Sequence, residues 1–106
     1  MPFRLFALPS YGRCFKKLGN REQHVAGLII AALSDYFQSD FPIKNKPHIF
    51  KLGQRSYRLV FKKLRGQIWE AYIEGQVRIL TRLDNDKHFL VFAGNHDQVR
   101  FFLKEN

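Results

Sequence analysis

The residues of this 106-residue chain best equipped for chemistry are one histidine, one arginine and a cluster of other cations. His96 follows Gly94-Asn95 and precedes Asp97. Histidine as a residue type has a reference pKa of about 6.5, which suits it to take or give a proton near neutrality. Arg78 sits in a run of strand-forming residues, and its planar, permanently charged fork suits a phosphate whose charge grows in a transition state. Cleavage of RNA by its own 2′-hydroxyl needs a base, an acid and a cation for the developing charge. His96, Arg78 and a lysine, either Lys62 or Lys63, would cover those needs. Blander readings stand beside these: His96 as a solvated turn residue, and Arg78 on a wet strand face or paired with Glu70 across a hairpin. Whether His96 would act as acid or base stays open.

Charge points the same way. Eighteen Lys and Arg against nine Asp and Glu give a net charge of +9, which favours a polyanion or a strongly acidic protein partner. Residues 44–65 hold eight cations (Lys44, Lys46, Lys51, Arg55, Arg58, Lys62, Lys63, Arg65) and no acid, with Phe50, Tyr57 and Phe61 interleaved. Cations neutralise phosphates while aromatic faces stack on unpaired bases, so Arg58, Lys62, Lys63 and Arg65, with Arg82 further on, are candidate RNA contacts. A lysine-rich sheet edge that resists pairing with other chains would account for part of this charge without any ligand.

Several classes of function find no footing. Cys14 is the only cysteine, so neither an intramolecular disulfide nor a Cys-rich metal framework can form. No two histidines have metal-ligand spacing, Asp84-Asn85-Asp86 reads as a turn and not a calcium loop, and no cofactor motif is present. His48 and His88 read as surface or edge polar residues. No apolar run reaches the roughly 18 residues of a membrane span, and the start of the chain does not read as a signal peptide. A soluble, cytoplasmic protein with no membrane partner is the expectation.

The elements that must position these residues follow from periodicity. Residues 3–8 alternate as a short strand, which Pro9-Ser10 ends. Ser10 is placed to cap a short helix through Leu18, and Asn20 with Gln23 resembles a capping box opening a second. Val25, Leu28, Ile29, Ala32, Leu33, Tyr36 and Phe37 form an apolar stripe at helical period, predicting a helix over 21–37 that packs on a sheet. Residues 40–47 read as a loop. Residues 48–64 mix strand alternation with Gly53 and dense charge, as an added, partly irregular edge strand would. Residues 68–73, 77–83 and 88–93 read as antiparallel strands joined by short turns, with Trp69 anchoring the core. Gly94 is expected at positive φ, turning the chain so that His96 aims back over the sheet. Asn95 or Asp97 then caps a short tail helix through Val99, Phe102 and Leu103. The expected architecture is a single α+β domain over residues 1–106, with two N-terminal helices on a mostly antiparallel twisted sheet in the order β-α-α-β-β-β and a short C-terminal helix.

The run from Gly66 to Leu80, with Trp69, Glu70, Tyr72, Gly75 and Arg78, is similar to the central hairpin of the RelE/ParE toxin superfamily. Gly94-Asn95-His96-Asp97 resembles the Gly-x-His-(Ser/Asp) signature of its YafQ-like ribonuclease branch. The resemblance covers roughly residues 3–103, with the specific motifs confined to 69–96. It implies the toxin of a type II toxin-antitoxin pair, an endoribonuclease that cuts messenger RNA on the ribosome and halts translation. Arg78 occupies the place of the arginine that grips the scissile phosphate, and His96 that of the loop histidine. A cognate antitoxin, acidic or wrapping, would be its protein partner, and self-association as a homodimer is also compatible. Thr81 and Arg100 stand where such toxins often carry aromatics, and Glu70 and Tyr72 where RelE proteins keep lysines. Two other readings remain: a ParE-like inhibitor of DNA gyrase that cleaves nothing, and an RNA-binding module that breaks no bond.

Overall fold

The computed structural model describes residues 4–38, 48–73 and 75–105. In chain order it contains β1 (Arg4–Ala7), α1 (Pro9–Lys16), α2 (Asn20–Gln38), β2 (His48–Leu52), β3 (Arg55–Arg65), β4 (Ile68–Tyr72), β5 (Arg78–Asp84), β6 (Lys87–Gly94) and α3 (His96–Glu105). The six strands form one sheet in the order β1-β6-β5-β4-β3-β2. Every neighbouring pair is antiparallel except β1 with β6, which run parallel at one edge. The α+β class and the central run of antiparallel strands match the expectation. The ambiguous stretch from residue 48 is two strands joined at Gly53-Gln54 instead of one irregular edge. The expected loop at 40–47, with Lys44 and Lys46, lies outside the described residues.

Helices occupy both faces of the sheet. On the first face α1 and α2 enclose Ile29, Leu33, Phe37, Leu59, Ala71, Ile79 and Leu90. On the second, α3 seats Val99 against Leu80 and Val91, with Phe92 and Phe102 stacked at 4.7 Å between ring centres. The alternation of strand side chains separates these sets, since Ile79 and Leu80 are neighbours in sequence but lie on opposite faces. A bulge opposite Leu80/Thr81 adds Val91 to β6, so that Val91 and Phe92 both join the α3 side.

Local details correct several expectations. Helix α1 starts with Pro9 in its first turn, where a missing N–H costs nothing, and Ser10 donates to the Val91 carbonyl at 3.0 Å instead of capping. The cap of α2 lies one residue earlier than expected: Gly19 N–H donates to Glu22 Oε1 at 3.3 Å, and Gln23 reaches back to the Phe15 carbonyl. Its buried stripe is Ala26, Ile29, Ala32, Leu33 and Phe37, while Leu28 is only half-buried because the helix is rotated toward Ala26. Trp69 is half-buried too, stacked on Phe61 at 5.0 Å near the margin of α2.

Leu33 is fully enclosed between α2 and the sheet. Leu33→Ala should therefore lower unfolding free energy by about 2–5 kcal/mol, read from the shift in urea midpoint at unchanged slope.

Candidate functional site

Strand register decides which polar residues meet. Lys62 opposes Glu70, Glu70 opposes Leu80, and Arg78 opposes Gly94. These residues line the α3 face of the sheet. Arg78 and the start of α3 therefore come to the same end of that face, and His96 is the first residue of the helix. The β3–β4 part of this face carries Lys62, Glu70 and Tyr72 beside them.

The turn into α3 is built by a reciprocal capping box. Asn95 Oδ1 accepts from Gln98 N–H at 2.8 Å, and Gln98 Oε1 accepts from Asn95 N–H at 2.8 Å, satisfying donors that a helix start leaves open. Of the two caps expected, Asn95 is the one used. Gly94 is not at positive φ, contrary to expectation. A Cβ there would lie 2.7 Å from Gln98 Oε1 and 2.9 Å from a Phe92 ring carbon, so glycine is required by the close approach of the cap. His96 is exposed and the capping bonds leave its ring unused.

Arg78 is half-buried and closely held. Its guanidinium carbon lies 4.0 Å from the Tyr72 ring centre, and Nη1 donates to the carbonyls of Gly75 at 2.7 Å and Val77 at 3.1 Å. It does not pair with Glu70. That carboxylate, only 5 % exposed, has Lys62 Nζ at 3.9 Å, and the same ammonium lies 5.8 Å from the Tyr72 ring. Arg78, Tyr72, Lys62 and Glu70 thus form one connected group, of which Glu70 and Tyr72 were not singled out as site residues from sequence. Once 68–72 and 78–84 are accepted as a hairpin, strand parity puts Glu70, Tyr72 and Arg78 on one face, and that was the available signal.

The other candidate cations divide. Lys63 opposes Trp69, whose ring packs toward His88 on the α2 face, so Lys62 and Lys63 point to opposite sides. Arg58 is exposed and shares the face of Lys62. Arg82 shares the face of Arg78, but Leu80 lies between them, buried beneath α3, so the two arginines emerge at opposite ends of that helix. Arg65 joins Arg82 around a cavity of about 420 Å³ floored by Ile68, Val91 and Phe102. The Arg65 guanidinium donates to the Leu103 carbonyl near the end of α3, a structural task of its own.

Two of the other three histidines, His48 and His88, are structural in different ways, while His24 is exposed on α2. His48 Nε2 lies 2.6 Å from Asp35 Oδ2, joining the start of β2 to α2. His88, expected at the surface, is 2 % exposed. Its Nδ1 shares a 2.9 Å hydrogen bond with Thr81 Oγ1, Phe37 stacks on the ring at 5.1 Å, and Phe61 and Trp69 meet it edge-on. Burial in this aromatic surround pushes its pKa down to about 4. Among the described residues no group of three or more His, Cys, Asp or Glu could hold a metal, and no helix is long and apolar enough to cross a membrane.

Comparison with known proteins adds no assignment, because no family model, no curated protein and no solved structure matches the chain.

The geometry of His88 makes a testable demand on stability. Below pH 6.5 the unfolded chain protonates His88, whereas the folded chain refuses that proton until about pH 4. The stability carried by neutral His88 is complete above pH 6.5 and is lost as pH falls toward 4, a change on the order of 3 kcal/mol. Urea unfolding across this window should show a shallower pH dependence in His88→Gln, which keeps a polar partner for Thr81 and removes the titration.

Proposed function

We propose that the chain is a RelE/ParE-type toxin acting as an endoribonuclease on messenger RNA. The observation that carries this reading is the Arg78–Gly94 register, which pairs the strand position of an anchored arginine with the residue two before exposed His96. Lys62 on the same face adds positive charge, held against buried Glu70. An imidazole, a fork-shaped cation and an ammonium are groups that phosphodiester cleavage by an adjacent hydroxyl can use.

In the proposed reaction the 2′-oxygen of the RNA attacks the neighbouring phosphorus and gives up its proton to a base. The phosphorus–5′-oxygen bond breaks, and the departing 5′-oxygen takes a proton, leaving a 2′,3′-cyclic phosphate and a 5′-hydroxyl. His96 performs one of the two proton transfers. Arg78 carries the charge that grows on the non-bridging oxygens, and Lys62 draws the strand toward the face. Among the lysines, parity favours Lys62 over Lys63, because Lys63 lies on the α2 side. Action on ribosome-bound messenger in the cytoplasm, and control by an acidic antitoxin that wraps the +9 surface, belong to the same proposal.

The test is induction of the chain in cells with transcripts and DNA supercoiling followed together. Messenger RNA should be cut and translation should stop, while His96→Ala should abolish both effects and keep a native thermal midpoint, since an exposed side chain adds little packing. Arg78→Ala should slow cleavage by at least about 100-fold through lost charge stabilisation. Lys62→Gln should weaken RNA binding and reduce its salt dependence more than Lys63→Gln does. A fully toxic His96→Ala protein with intact transcripts and failing supercoiling would replace this reading with gyrase inhibition.

A further inference from the structure

The contacts around Arg78 carry a more specific conclusion, which rests on the ribonuclease reading. A free arginine side chain samples many rotamers, and ordering it on a ligand opposes binding. Arg78 is ordered before any ligand arrives. The Tyr72 ring covers one face of the guanidinium at 4.0 Å, and the Gly75 and Val77 carbonyls both hold the Nη1 corner. Gly75 stands at φ 72°, a conformation that favours glycine, so the turn that aims this carbonyl depends on the residue type. With Nη1 committed, the edge formed by Nε and Nη2 has no partner among the described residues.

We infer that Tyr72 and the carbonyls of the β4–β5 turn lock Arg78 as a side-on clamp, which presents its Nε/Nη2 edge to the two non-bridging oxygens of the scissile phosphate. That edge has the spacing for a bidentate bond to phosphate, while an end-on approach would need the Nη1 atom already in use. Tyr72 is a positioning residue: it touches Arg78 and not the RNA, and the ring is what matters, not the hydroxyl. The same ring lies near Lys62 Nζ, so one aromatic surface borders both cations. Since the clamp meets charge that develops during reaction, loosening it lowers kcat more than it raises KM.

Single-turnover cleavage of ribosome-bound messenger, with affinity measured separately on RNA carrying a 2′-O-methyl group at the cut site, tests this arrangement. Tyr72→Phe keeps the ring and should cleave within about twofold of wild type, whereas Tyr72→Leu should lose about tenfold in kcat with affinity little changed. Gly75→Ala, on an exposed turn remote from the core, strains the carbonyl acceptor and should lose kcat in the same direction; it serves as the second variant if Tyr72→Leu fails to fold. Arg78→Lys should not restore cleavage, because an ammonium has no fork. In nitrogen-edited spectra the Arg78 side-chain protons should show a ring-current shift that persists in Tyr72→Phe and vanishes in Tyr72→Leu. Wild-type rates in both Tyr72→Leu and Gly75→Ala would overturn the clamp, as would equal losses in Tyr72→Phe and Tyr72→Leu. Absence of cleavage by the wild-type chain would instead overturn the ribonuclease reading itself.

Discussion

The second face of the sheet is organised by the point at which α3 leaves β6. Gly94 has no side chain because Gln98 and Phe92 close over it, and the Asn95–Gln98 capping box fixes the first turn of the helix. From there α3 lies back across the sheet with Val99 on Leu80 and Phe102 on Phe92. The helix thereby divides the cations of that face into two groups. Arg78 stays at its start with His96, and Arg82 and Arg65 fall at its far end around a separate cavity. A side chain at 94 would press on Gln98 and on the Phe92 ring, so the cap and the Phe92–Phe102 stack would both have to shift.

Two histidines show how environment divides one residue type. His88 lies under α2 in an aromatic surround, neutral and tied to Thr81, and its depressed pKa is the consequence of burial. His96 has the opposite setting, on an exposed first turn whose capping bonds join Asn95 and Gln98. Only the second is placed to exchange protons with a ligand without unfolding part of the core. Glu70 shows the converse for acids. It is buried on the α3 side of β4 with the Lys62 ammonium beside it, so a carboxylate in a strongly basic region is matched by a cation on the neighbouring strand.

The β4–β5 hairpin joins core packing to a held cation in a short stretch of chain. Ala71 and Ile79 belong to the core on one face, while Tyr72 and Arg78 lie one residue nearer the turn on each strand and face the other way. Substitutions at the first pair act through packing, and substitutions at the second act through the position of a charge. This separation within adjacent residues is a direct result of the strand pleat.

The sequence by itself determined the α2 helix, the three antiparallel strands with short turns, and a tail helix to be capped by Asn95 or Asp97. Those features rest on local periodicity and turn chemistry, which neighbouring residues encode. It also marked His96 and Arg78 as residues to watch. What only the tertiary structure decided was the membership of faces. Lys62 and Lys63 are adjacent and alike in sequence, and Arg78 and Arg82 share a parity, yet one pair is divided by the sheet and the other by α3. The burial of His88 required Phe37 and Thr81 to meet it from elsewhere in the chain, and the half-burial of Leu28 required the rotation of α2 on the sheet. Period and charge describe a residue's own segment, whereas exposure depends on which distant segment lies over it.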